Sequence, residues 1–170
     1  MDFAPFLEMP ATIQLHAASA SLAIILGPFA VLRQRRDRMH KIIGYVWVLA
    51  MLVVAVSALF IPSFGVAIIG PFGPIHLFVV ITLVSLWQGM RAVLQGDIPR
   101  HRAWMSGLYW QGLLVAGLVN FLPGRMVNRA TFPEHPALGY AVIVLGAATL
   151  IWFRILRPRL RPVATLHDTV

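Results

Sequence analysis

At 170 residues, 59% hydrophobic and 12% charged, with a mean hydropathy of +0.79, the chain is too apolar to cover a soluble domain of its size with polar surface. It has no cysteine, which excludes disulfides, thiolate-bound zinc, cysteine-ligated haem or iron–sulfur clusters and a cysteine nucleophile, so any metal or cofactor must rely on histidine. The net charge of +8 sits in short clusters beside apolar runs rather than along a solvated face, which points to membrane orientation and away from nucleic acid.

The opening segment, Met1 to Glu8, carries acid where a signal peptide has bases, and the apolar run behind it is too long for an h-region, so no cleavage is expected. Five windows are long enough to cross a hydrocarbon core of ~30 Å, which takes ~20 helical residues: 12–32, 42–62, 75–94, 103–122 and 137–156. The expected fold class is all-α: one polytopic membrane domain over 1–170, with residues 157–170 as a tail. Between the first two windows lies the densest charge cluster of the chain, Arg33 to Lys41. The segment 62–74 is almost wholly apolar, yet its prolines and glycines argue against a sixth span; it is expected to lie in the outer interface and cap a site there. Gly96-Asp97-Ile98-Pro99 separates the third window from the fourth, and Leu122-Pro123-Gly124 ends the fourth. Trp47, Trp87, Trp104, Tyr45 and Tyr109 fall near the inner helix ends, where aromatic rings favour the headgroup region.

Twelve of the fourteen Lys and Arg lie in 33–41, 91–102 and 154–161; only Arg125 and Arg129 lie on the other side. The positive-inside rule then places the amino terminus outside and the basic carboxyl terminus in the cytoplasm.

His16 and His76 are 60 residues apart, each near the outer end of an inward-running window, and His40 and His101 are 61 apart, each opening an outward-running one with a base behind it. The first two helices thus read as a repeat of the next two: a four-helix transmembrane bundle with a fifth helix added. Helix rise puts the outer histidines ~22–26 Å above the inner edge, so the four can pair only by level, His16 with His76 and His40 with His101. In an up-down bundle each pair faces itself across the core, as bis-histidine ligation of two b-type haems requires. Ala20, Ala23 and Gly27 below His16, and Gly44 after His40, leave room for a porphyrin, although small residues serve plain helix packing equally well; the faces after His76 and His101 are bulkier. Arg38, Lys41, Arg100 and Arg102 suit haem propionates or an anionic reductant, and serve equally as topology determinants against anionic lipid. Gln14 and Gln111 read as interhelical hydrogen-bonding amides, and His135 and His167 as loop and tail residues. Nucleotide-binding, metalloprotease and serine-hydrolase motifs are all missing.

His16, the Arg-rich loop running to His40-Lys41-Ile42-Ile43-Gly44, Ile75-His76-Leu77 and His101-Arg102-Ala103-Trp104-Met105 resemble the pattern of an uncharacterised group of bacterial predicted inner-membrane proteins, a domain of unknown function. The resemblance covers about residues 12–122, with Lys41 where arginine is usual, and implies a bacterial inner-membrane location but no activity. In architecture alone, the ligand plan is similar to the transmembrane ascorbate-type b cytochromes. The leading expectation is therefore electron transfer between an unidentified donor and acceptor on the two sides of the bilayer. A histidine-lined metal or small-molecule transporter and a non-catalytic assembly subunit are the alternatives.

The topology is testable directly. Reporter fusions after Arg38 and after Arg102 should report cytoplasm, and a fusion after Arg129 the exterior; an exterior signal at either of the first two removes both the orientation and the pairing by level.

Overall fold

The computed structural model of the chain describes residues 4–33, 35–62, 73 and 76–152. The expected cap 62–74 lies almost wholly outside the described residues, as do the fifth window beyond 152 and the tail. Among the described residues the structure is all helical, with no strand. The helices are α1 (Ala4–Leu7), α2 (Ala11–Val31), α3 (Arg38–Ala58), α4 (Leu77–Leu94), α5 (Ile98–Gly107), a π-helical stretch (Leu108–Leu113), α6 (Leu114–Val119), α7 (Met126–Thr131) and α8 (Leu138–Ile151). Three of them, α2, α3 and α4, are long and apolar enough to cross a membrane. The fourth window is covered by the unbroken run from α5 through the π-helical stretch to α6, and α8 is a shorter apolar helix within the fifth.

The helix starts lie further into the charged turns than apolar patterning predicts. Asp37 accepts the His40 backbone N–H at 2.9 Å and so caps α3, which begins at Arg38 rather than near 42. Asp97 accepts the Arg100 N–H at 3.0 Å and caps α5, with Pro99 in its first turn. Just before it, α4 closes in a Schellman motif: the Gly96 N–H reaches the Val93 carbonyl and the Asp97 N–H the Ala92 carbonyl. That ending needs a left-handed residue, and Gly96 supplies it at φ +79°. Both histidines of the basic end therefore sit inside the first turn or so of a helix.

The chain divides into two compact units, residues 1–117 and 118–170. In the first, α2 packs on α3, α3 on α4, and α4 on α5 and the π-helical stretch. Its core contains Ala23, Trp47, Met51, Leu86, Met105 and Tyr109. Trp47 is 1% exposed and donates its indole N–H to the Ala23 carbonyl at 3.0 Å. Tyr109 is 4% exposed and lies against Gly27, where a Cβ would coincide with the tyrosine ring. Neither residue belongs to an interfacial aromatic belt; Tyr45 and Trp87 remain exposed, the latter with the Arg91 guanidinium 5.3 Å from its ring centroid.

Pro28 lies inside α2 and has no N–H to give the Ile24 carbonyl one turn earlier. The Tyr109 hydroxyl donates to that carbonyl at 3.4 Å, from the π-helical stretch whose widened turn carries the ring there. The outward faces of α2, α3 and α4 present Ile25, Phe29, Leu49, Leu52, Val80 and Val84 as exposed side chains, a surface suited to lipid rather than water. In the second unit, Asn128 of α7 is fully buried and donates to the Phe121 and Pro136 carbonyls at 2.8 and 2.9 Å, tying the approach to α8 onto the end of the preceding helix.

Packing at Gly27 reverses the usual sign of a glycine-to-alanine change. Helix propensity favours alanine by ~1 kcal/mol, but overpacking costs ~1–3 kcal/mol, so Gly27→Ala should lower the thermal unfolding midpoint in mild detergent. In a Tyr109→Ala background the same change should become neutral or stabilising; an unchanged penalty would show that Tyr109 does not fill the space.

Candidate functional site

At the basic end, the turn between α2 and α3 meets the start of α5. His40 and His101 line one recess of about 70 Å³ together with Arg33, Arg35, Arg36 and Arg102. Each imidazole comes from the beginning of its helix, so the two aspartate caps fix both positions. His101 Nδ1 lies 2.8 Å from the Gly89 carbonyl, an acceptor, so Nδ1 carries a proton and, in the neutral ring, Nε2 keeps its lone pair. His40 Nδ1 is buried and has no hydrogen-bond partner among the described residues.

The other two expected ligands are held differently. His16 Nδ1 lies 3.1 Å from both the Val54 carbonyl and Ser57 Oγ on α3. Ser57 donates its own proton to the Val53 carbonyl at 2.6 Å, so its oxygen accepts, and His16 is also the Nδ1–H tautomer. His76 stands at the N-cap of α4, and its Nδ1 accepts the Gly73 backbone N–H at 3.1 Å. With that lone pair engaged, the proton of a neutral His76 sits on Nε2. His16 is thus engaged with α3 and His76 with the approach to its own helix.

Of the four bases expected near the inner histidines, Arg102 lines the recess. Arg38 and Lys41 are exposed on the first turn of α3, and Arg100 is exposed and donates to Gln88 Oε1 at 3.3 Å. The recess instead gains Arg33, Arg35 and Arg36, expected only as part of the charge cluster that orients the chain in the membrane. Their density in four positions was the available signal; their turning toward α5 was not readable. The small-residue face of α2 is also occupied by protein, since Trp47 sits at Ala23 and Tyr109 at Gly27. Gln14 on α2 donates to the carbonyls of Leu7, the last residue of α1, and of Met9 in the turn between the two helices. Among the described residues, no group of three or more His, Asp or Glu is placed to hold a metal ion.

The electrostatics of the turn centre on Asp37, which pairs with Arg33 while capping α3. The Arg33 hydrogen bond, then the His40 N–H, hold its carboxyl down to about 2 from an ordinary 3.8. A carboxyl depressed in the folded state contributes stability that is fully present above the ordinary value and is lost as pH falls through about 2. The His40 amide proton shift should therefore titrate with a midpoint of about 2 in wild type and lose that step in Asp37→Ala. A midpoint near 4 would remove the Arg33 pairing from the account.

Comparison with curated proteins and with solved structures returns no match. A family described as "Predicted membrane protein (DUF2306)" matches residues 13–153, a span that takes in all four histidines and every helix from α3 to α8. The chain belongs to this DUF2306 family of predicted membrane proteins.

Proposed function

We propose that the chain is a multi-pass protein of the bacterial inner membrane that binds b-type haem and passes electrons across the bilayer. In this reading four crossing helices derive from a two-helix repeat and a fifth follows, with the amino terminus outside and the carboxyl terminus in the cytoplasm. The single observation that carries it is the meeting of His40 and His101 on one recess at the end where bases concentrate. Two neutral imidazoles are what bis-histidine iron needs, and a ligand histidine characteristically holds its other N–H on a carbonyl, as His101 does on Gly89. His16 has the same tautomer, held by Val54 and Ser57, which supports a second haem on His16 and His76. That outer site requires the His76 ring to release the Gly73 N–H or lose its Nε2 proton. Arg102, with Arg38, Lys41 and Arg100 on neighbouring first turns, would pair with propionates. Trp47 and Tyr109 fill the face of α2 and the recess is small, so the residues that would hold an inner haem are His40 and His101 and not the small residues of α2. Bound haem would supply one-electron chemistry; the protein's part is to hold the imidazoles in the ligand tautomer and balance the propionate charge.

Small-molecule transport has one observation of its own. A second recess, of about 460 Å³, lies beside α4, α5 and the π-helical stretch, lined by Ser85, Trp104 and Gln111 among apolar residues. Its size falls within the ~300–1,000 Å³ of ordinary ligand pockets.

An absorption spectrum of protein purified in mild detergent after haem-replete expression separates the two. Haem gives an intense visible spectrum; His40→Ala and His101→Ala should remove the same part of it, and His16→Ala and His76→Ala the other part. Colourless wild-type protein ends the haem reading, and equal partial loss from all four substitutions ends the division into two sites.

A further inference from the structure

The arginines that gather at the recess between the α2–α3 turn and α5 are not accounted for by propionates alone. Arg33, Arg35, Arg36 and Arg102 all line it, and among the described residues no carboxylate does. The acids of the two flanking turns are already engaged: Asp37 pairs with Arg33 and caps α3, and Asp97 caps α5. Among the described residues no carboxylate pairs with Arg35, Arg36 or Arg102. The recess also lies at two helix starts, with His40 in the first turn of α3 and Ile98 the first residue of α5, so both helix dipoles add positive potential. His40 Nδ1 is buried beside this charge without a partner, leaving one more polar group for an occupant.

Like charges held this close repel, and an anion in the middle relieves the repulsion. Guanidinium groups match tetrahedral oxyanions, giving paired N–H donors to two oxygens at once. The volume of about 70 Å³ admits a small group, not a nucleotide or a folded peptide segment. We propose that this recess binds a phosphate group through Arg35, Arg36 and Arg102, with Arg33 shared between the phosphate and Asp37. The phosphate belongs either to a lipid headgroup reached from the bilayer or to a soluble phosphate compound; the recognition chemistry is the same. The proposal does not depend on haem, because Arg35 and Arg36 have no part in ligating iron.

The test is calorimetric titration of the full chain in non-ionic detergent with three probes: dioctanoyl phosphatidic acid, dioctanoyl phosphatidylcholine and inorganic phosphate. Saturable binding of phosphatidic acid or of inorganic phosphate is expected, with phosphatidylcholine much weaker. R35Q/R36Q should weaken the bound probe by about tenfold or more, since each charge-assisted contact is worth at least that factor. R125Q/R129Q, which removes two arginines elsewhere, should leave it unchanged. Competition by inorganic phosphate identifies a soluble source, and binding of phosphatidic acid that inorganic phosphate does not displace identifies a lipid headgroup; either supports the site. Failure of both phosphate probes to bind, equal affinity for phosphatidylcholine, or equal weakening by the two double substitutions overturns it. Spectra of the same samples keep the readings apart: loss of phosphate binding in R35Q/R36Q with an unchanged haem spectrum separates the two sites, and a colourless protein that still binds phosphate leaves this proposal standing.

Discussion

A break in one helix is filled by a side chain from another, and the first unit is organised around that contact. Pro28 leaves the Ile24 carbonyl without its in-helix donor, and in hydrocarbon an unpaired carbonyl costs several kcal/mol because no water can replace the bond. Tyr109 reaches it because Gly27 offers no Cβ and because the widened π-helical turn swings the ring toward α2. Trp47 makes a contact of the same kind from α3 on the Ala23 carbonyl, the residue just before Ile24 in the same helix. Two aromatic rings thus seat α3 and the π-helical run on α2. Helix approach of this kind needs small residues on one side and large ones on the other, and in a membrane it replaces the hydrophobic drive that water would supply.

The placing of the four histidines follows from how backbone polarity is handled around them. His101 and His16 each point an Nδ1–H at a main-chain carbonyl of a neighbouring helix, Gly89 and Val54, so each ring joins two helices and leaves a defined tautomer. His76 does the reverse and accepts a main-chain N–H from its own approach, which suits a residue at a helix start where N–H groups lack partners. His40 has neither arrangement at Nδ1. The four rings are thus not equivalent, although their spacing in the chain makes them look so.

Charge at the basic end is arranged by the same two turns that start the helices. Asp37 and Asp97 are both used as caps, and this takes them out of the recess as counter-ions. Among the described residues, the arginines around it meet no carboxylate except where Arg33 pairs with Asp37. Ligand readings at this end, whether for porphyrin propionates or a phosphate, draw on that imbalance.

The membrane class, the all-helical character and the three long apolar helices were legible in the sequence because lipid requires long uninterrupted apolar runs and bilayer thickness fixes their length. Gly96 as the hinge between α4 and α5 was legible for the same kind of local reason, since a left-handed residue there is a property of the backbone. Residues 13–153 carry enough pattern to place the chain in its family. What the tertiary structure alone decided is which small residues face protein: Ala23 and Gly27 looked like space for a cofactor and are filled by Trp47 and Tyr109. It also decided that Arg35 and Arg36, and not Arg38 and Lys41, turn toward His101. In a helix that is apolar all round, periodicity does not distinguish a face toward lipid from one toward a neighbour, and in a turn the direction of a side chain is set by the caps and contacts on either side of it.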